Sequence, residues 1–181
     1  MRVLKILAIS GSTRKESSNA SLLHALSANA PNGISLNVFD RIIDLLIFTI
    51  DTPPQHLPYS VQVVARLVSE ADGIIFAVQE YVRTLPGGIK NAIDWLVPRE
   101  ELIDKPIAII HASWRGDDML ADLRRVLCTV SSNFNESIFA RFALANKEPN
   151  EIKSFFQEAD NKRELITYID EFRNFILQTQ A

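Results

Sequence analysis

The chain has 181 residues, of which 47% are hydrophobic and 23% charged, with a formal net charge of −3. That length suits one compact domain that buries roughly 70% of its unfolded surface, and the charge excludes a broad electrostatic surface for nucleic acid. Cys128 is the only cysteine, so an internal disulfide is excluded and a reducing, cytoplasmic setting is expected.

Val3 to Ser10 is a short apolar run stopped by Gly11, the pattern of a strand buried on both faces. It is too short for a membrane span, and the polar segment after it argues against a secretory leader. Ser18 to Ala28 reads as a helix with Leu22, Leu23 and Leu26 on its apolar face, ended by Pro31-Asn32-Gly33. Ile34 to Phe39 is a second strand, and Arg41 to Ile50 fits either a strand or a buried loop. Ser60 is expected to cap a helix carrying Val61, Val64, Ala65 and Val68. Gly73 to Val78 is a third buried strand, and Pro86 is expected in the first turn of a helix carrying Ile89, Ala92, Ile93 and Leu96. Pro106 to His111 is a fourth strand, and Asp117 is expected to cap a helix with Leu120, Leu123, Leu127 and Val130 in register. Phe134 to Leu144 reads as the last strand and Asn150 to Gln178 as mostly helical.

The βα alternation, repeated about five times, predicts a parallel sheet with helices on both faces. Ligands of such sheets bind at the carboxyl ends of the strands, where strand order reverses. With strand order 2-1-3-4-5, the loops Gly11 to Ser18, Gln79 to Leu85 and Ala112 to Gly116 lie side by side.

The first of these loops, Gly11-Ser12-Thr13-Arg14-Lys15-Glu16-Ser17-Ser18-Asn19, leads from a buried strand to a helix start. Hydroxyl donors, the Arg14 fork and the unpaired N–H groups of the helix describe a phosphate cradle. The same residues also describe a capped helix with a solvated polar approach. Neither Gly-x-x-x-x-Gly-Lys nor Gly-x-Gly-x-x-Gly is present, so a terminal monophosphate suits the loop better than a pyrophosphate.

Several single residues have two readings. Tyr81 either stacks on a ligand ring or packs against its own helix. Trp95 belongs to the core or to a subunit interface, and His111 reads as a structural histidine. His24, His56 and His111 give no metal-ligand spacing. Ala112-Ser113-Trp114 lacks the flanking glycines of a nucleophile elbow.

Gly11-Ser12-Thr13-Arg14 followed by Ser17 and Asn19 resembles the Gly-Ser-x-Arg-x-x-Ser-x-Asn signature of the NAD(P)H-dependent FMN reductase family. Glu80-Tyr81, Pro86-Gly87 and Ile89-Lys90-Asn91-Ala92-Ile93-Asp94-Trp95 resemble the family's second signature, and Lys105-Pro106 with the strand ending near Ser113 its third. The resemblance implies a flavodoxin-like α/β fold: three layers around an open parallel five-stranded sheet of order 2-1-3-4-5. It implies one domain over residues 1–181, FMN as cofactor and NADPH or NADH as reductant. It also implies a small acceptor such as a quinone, azo compound or free flavin. By the same resemblance Ser12, Arg14, Ser17 and Asn19 hold the FMN phosphate, and the Ser18 hydroxyl is a further cofactor-binding donor of the loop. Main chain around Gln79, Glu80, Tyr81 and Val82 meets the ring edge, and Ser113 to Gly116 approaches from the other side. No amino-acid catalytic residue, metal, membrane or nucleic-acid partner is implied. A homodimer or homotetramer is expected, with the Pro86 to Leu96 helix near the contact and Trp95 losing exposed surface there.

Three departures stand out: Gln79 replaces a family proline, Val82-Arg83 an Asn-Gly pair, and Trp114-Arg115-Gly116-Asp117 a glycine-rich stretch. They leave two other readings in view: a flavodoxin-type electron carrier, and a module that no longer holds flavin.

Overall fold

A computed structural model describes residues 2–14 and 16–180; Lys15, which the phosphate-loop reading includes, lies outside the described residues. Five strands form one sheet, β1 (Leu4–Ser10), β2 (Ile34–Phe39), β3 (Gly73–Ala77), β4 (Ile107–His111) and β5 (Phe134–Arg141). Their order is β2-β1-β3-β4-β5 and every pairing is parallel. The helices are α1 (Ser18–Ala28), α2 (Tyr59–Glu70), α3 (Gly87–Leu96), α4 (Asp117–Val130), α5 (Pro149–Phe155) and α6 (Ala159–Thr179). None among the described residues is long and apolar enough to cross a membrane.

The strands read as continuous apolar runs because the sheet is covered on both sides. Successive side chains alternate between two cores. Leu7, Ile9, Ile74, Phe76 and Ile109 meet α2, α3 and α4 on one face. Ile6, Ala8, Ile75, Ala77 and Ile110 meet α1 and α6 on the other. The α3 stripe of Ile89, Ala92, Ile93 and Leu96 is buried as its spacing predicts.

The structure corrects several local expectations. Arg41 to Ile50 is no strand: a short 3₁₀ turn covers Ile42–Asp44, with Ile42 and Leu45 inserted into the core while Ile43, Leu46, Ile47 and Ile50 face outward. Ser60 does not cap α2, because Pro58 ends the extended approach and Ser60 lies inside the first turn. Pro86 is the N-cap of α3 rather than a first-turn residue. Gly116, not Asp117, occupies the N-cap of α4, where φ is 104°. The carboxyl-terminal helical region breaks into α5 and α6. Trp95 has little surface left to lose at an interface: it is 3% exposed, its Nε1–H donates to Leu46 O at 2.7 Å, and its ring meets Phe48 edge-on at 5.2 Å.

Candidate functional site

Parallel strands bring their following loops to one edge, and the order 2-1-3 places the reversal between β1 and β3. The first loop is pinned there: Gly11 N–H donates to Ala77 O at 2.8 Å. A Cβ on Gly11 would sit 3.1–3.2 Å from Val78, so glycine permits this close approach.

A cleft of about 710 Å³ opens at this edge, within the usual size range of ligand sites. Ser12, Arg14, Ser17, Ser18 and Asn19 line one end, Gln79, Glu80 and Tyr81 the middle, and Ser113 and Gly116 the far side. Of the residues expected from the sequence at the ring end, Val82 and Trp114 are missing from the lining; Val82 projects from the adjoining turn. Glu16, Ala112 and Arg115, which lie within the loops read from the sequence, also line the cleft; sequence reasoning missed His111 as part of the lining and a fourth wall, Ala145 to Pro149, which follows β5. The carboxyl-edge rule applied to the last strand points to that wall.

At the α1 end, Ser17 Oγ accepts from Ala20 N–H at 3.0 Å as an N-cap, and Ser12 Oγ accepts from Arg14 N–H at 3.1 Å. Each of these hydroxyls keeps its own hydrogen to donate. Ser18 spends its hydroxyl on Leu144 O at 3.2 Å, which ties α1 to the fourth wall. The first N–H groups of α1 have no intrahelical acceptor. Arg14 is exposed and forms no ion pair among the described residues.

Gln79 joins this end to the middle. Its Nε2–H donates to Gly11 O at 2.9 Å, and its Oε1 accepts from Asn19 Nδ2 at 3.1 Å. The first contact fixes which way the amide points, since Gly11 O can only accept. That in turn fixes Asn19, leaving its buried Oδ1 without a partner among the described residues.

His111 forms the floor. Its Nδ1 lies 3.1 Å from Val78 O and its Nε2 2.6 Å from Arg115 O. Both partners are carbonyl oxygens, which can only accept, so whichever ring nitrogen carries the N–H donates to its carbonyl. Burial holds the ring's pKa below its ordinary value; Arg141 pushes the same way, while the two carbonyls and Asp117 oppose it. Above His111, the Arg115 guanidinium stacks on Trp114 at 4.4 Å from the ring centroid.

Residues 4–141 match the model of the NADPH-dependent FMN reductases. The chain belongs to that family. A quinone reductase of Escherichia coli K12 is 34% identical over 113 residues, 61% of this chain and 60% of that protein. A 2-hydroxy-1,4-benzoquinone reductase from Burkholderia sp is 36% identical over 92 residues, 51% of this chain and 49% of that one. The matches thus span about half to three-fifths of these relatives. A flavoenzyme NAD(P)H:(acceptor) oxidoreductase from Paracoccus denitrificans shares the fold, with a TM-score of 0.77 at 23% identity over 98% of this chain and 99% of that one. The FMN reductase fold therefore accounts for the flavodoxin-like strand order and for a cleft at the β1–β3 reversal.

Proposed function

We propose that this protein is a single-domain, FMN-dependent NAD(P)H oxidoreductase that reduces quinone-type acceptors. The observation that carries this reading is one cleft with the N-terminus of α1 at one end and unpaired main chain in its middle. The Glu80 N–H, on the lining of the cleft, has no acceptor among the described residues, which suits the polar edge of a flavin ring. When bound, FMN supplies the centre that takes a hydride from NAD(P)H and passes two electrons to the acceptor; the protein contributes placement and hydrogen bonds.

The residues fit that group in detail. The α1 N–H groups, the Ser12 and Ser17 hydroxyls and the Arg14 fork suit the phosphate. Ser18 contributes its backbone, since its hydroxyl is committed to Leu144. Asn19 takes a different role from the one its family position suggests. Its free Oδ1 needs a donor, so it suits a ribityl hydroxyl rather than a phosphate oxygen. Glu80, Tyr81, Ser113 and Gly116 line the end that would hold the ring, where nicotinamide and acceptor would be placed in turn.

We place the homodimer contact on the outward-facing Ile43, Leu46, Ile47 and Ile50 rather than on Trp95. The exposed thiol of Cys128 accords with a reducing cytoplasm.

Arg14→Ala tests the assignment. Losing a charge-assisted contact should weaken FMN about 10- to 100-fold. Riboflavin, with the same ring and no phosphate, should be nearly unaffected. Titrations by flavin fluorescence give the FMN-to-riboflavin affinity ratio. An unchanged ratio would show that the loop is only a capped helix start.

A further inference from the structure

The turn after Glu80 is built from residues that disfavour it. Tyr81 N–H donates to Thr84 O at 3.2 Å and Thr84 N–H to Tyr81 O at 3.1 Å, closing a two-residue loop. Both loop residues are left-handed, Val82 at φ 50° and Arg83 at φ 59°. Turns of this kind select Asn-Gly or Gly-Gly, because Cβ is crowded there and a β-branched residue is the most crowded of all. Burial gives Val82 no compensation, since it is 95% exposed.

The turn is held from outside instead. Arg83 Nε donates to Asp118 Oδ2 at 2.6 Å, and Thr84 Oγ1 donates to Asp122 Oδ2 at 2.7 Å. Asp118 and Asp122 are four residues apart on α4 and so share one face of it. Arg125 braces Asp122 at 3.1 Å. The residues just before the turn, Gln79 to Tyr81, line the cleft.

We propose that Asp118 and Asp122 are positioning residues for the ring end of the cleft, a two-carboxylate latch that holds the Tyr81–Thr84 turn in a conformation its own residues resist. The latch rests on the flavin reading of the cleft for its purpose, not for its existence. It substitutes for the intrinsic preference of an Asn-Gly turn, and it fixes the main chain of Glu80 and Tyr81 against the ring.

The experiment compares wild type, Asp118→Ala/Asp122→Ala, Arg83→Ala and Val82→Asn/Arg83→Gly. Hydrogen exchange at the Thr84 amide is measured without flavin, and dissociation of FMN and riboflavin by flavin fluorescence. Removing the carboxylates should speed Thr84 exchange about tenfold, as expected for two modest exposed contacts. Arg83→Ala should do so by about threefold or more. Val82→Asn/Arg83→Gly also loses the cation, yet should stay within about threefold of wild type because its turn needs no latch. FMN and riboflavin should both leave about 3- to 10-fold faster from the carboxylate variant, since the ring is common to them.

Wild-type exchange in the carboxylate variant, or fast exchange in Val82→Asn/Arg83→Gly, would overturn the latch. Faster exchange with unchanged flavin release would overturn its positioning role. If wild type bound neither flavin, the flavin reading would fail while the exchange rates still judged the latch.

Discussion

Replacing Gln79 by methionine should uncouple the two halves of the cleft. Methionine keeps the length and volume of the side chain but can neither donate to Gly11 O nor accept from Asn19 Nδ2. Two neutral hydrogen bonds at about 0.5–1.5 kcal/mol each are lost, and the polar groups left behind in a buried setting add to the cost, giving about 2–4 kcal/mol. Urea unfolding of flavin-free protein measures this as a lower midpoint with an unchanged slope. Asn19→Ala removes only the second bond, so Gln79→Met and Asn19→Ala should be non-additive by about 0.5–1.5 kcal/mol. Flavin binding reports the same coupling: Gln79→Met frees Asn19 to reorient and should weaken FMN and riboflavin together, leaving their affinity ratio near wild type. Strict additivity in the cycle, or a loss below about 0.5 kcal/mol for Gln79→Met, would refute the bridge.

Two further outcomes follow from the third loop. At Gly116, φ is 104° and a Cβ would lie 3.0 Å from His111 Nε2, so Gly116→Ala should cost about 1–3 kcal/mol and weaken flavin binding, both measurable by urea unfolding and titration. Because burial lowers the folded-state pKa of His111 from 6.5, the unfolded chain binds more protons in the window below that value. This contribution to stability is therefore present above about pH 6.5 and lost as the pH falls through the window. Urea midpoints at several pH values should show the loss in wild type and its reduction in His111→Gln, which keeps an amide donor for Arg115 O; equal pH slopes in the two proteins would contradict it.

Much of the scaffold is legible in the linear chain because burial is periodic. Val3 to Ser10, Gly73 to Val78 and Pro106 to His111 are continuous apolar runs for the physical reason that both faces of the sheet are covered, and β1, β3 and β4 lie within them. The hydroxyl-rich run before Asn19 likewise marks α1 and its cap, since capping is settled within a few residues. Helix starts governed by the preceding chain were less legible: proline at 58 and glycine at 116 displace the expected caps Ser60 and Asp117.

What only the tertiary structure decided depends on residues far apart in the chain. The Gln79 bridge spans separations of 68 and 60 residues, the latch separations of 35 and 38, and the His111 contact with Val78 a separation of 33. No local pattern encodes such contacts, because they exist only once the strand order has set β1 beside β3 and β3 beside β4. Read along the chain, Gln79, Val82 and Arg83 are losses from a family motif. In the folded protein Gln79 acquires two partners at the β1 edge, and the Val82-Arg83 turn acquires two carboxylates from α4. The sequence alone thus determined the layers, the carboxyl edge and the loop that begins α1. Packing between distant elements decided how the altered residues are held.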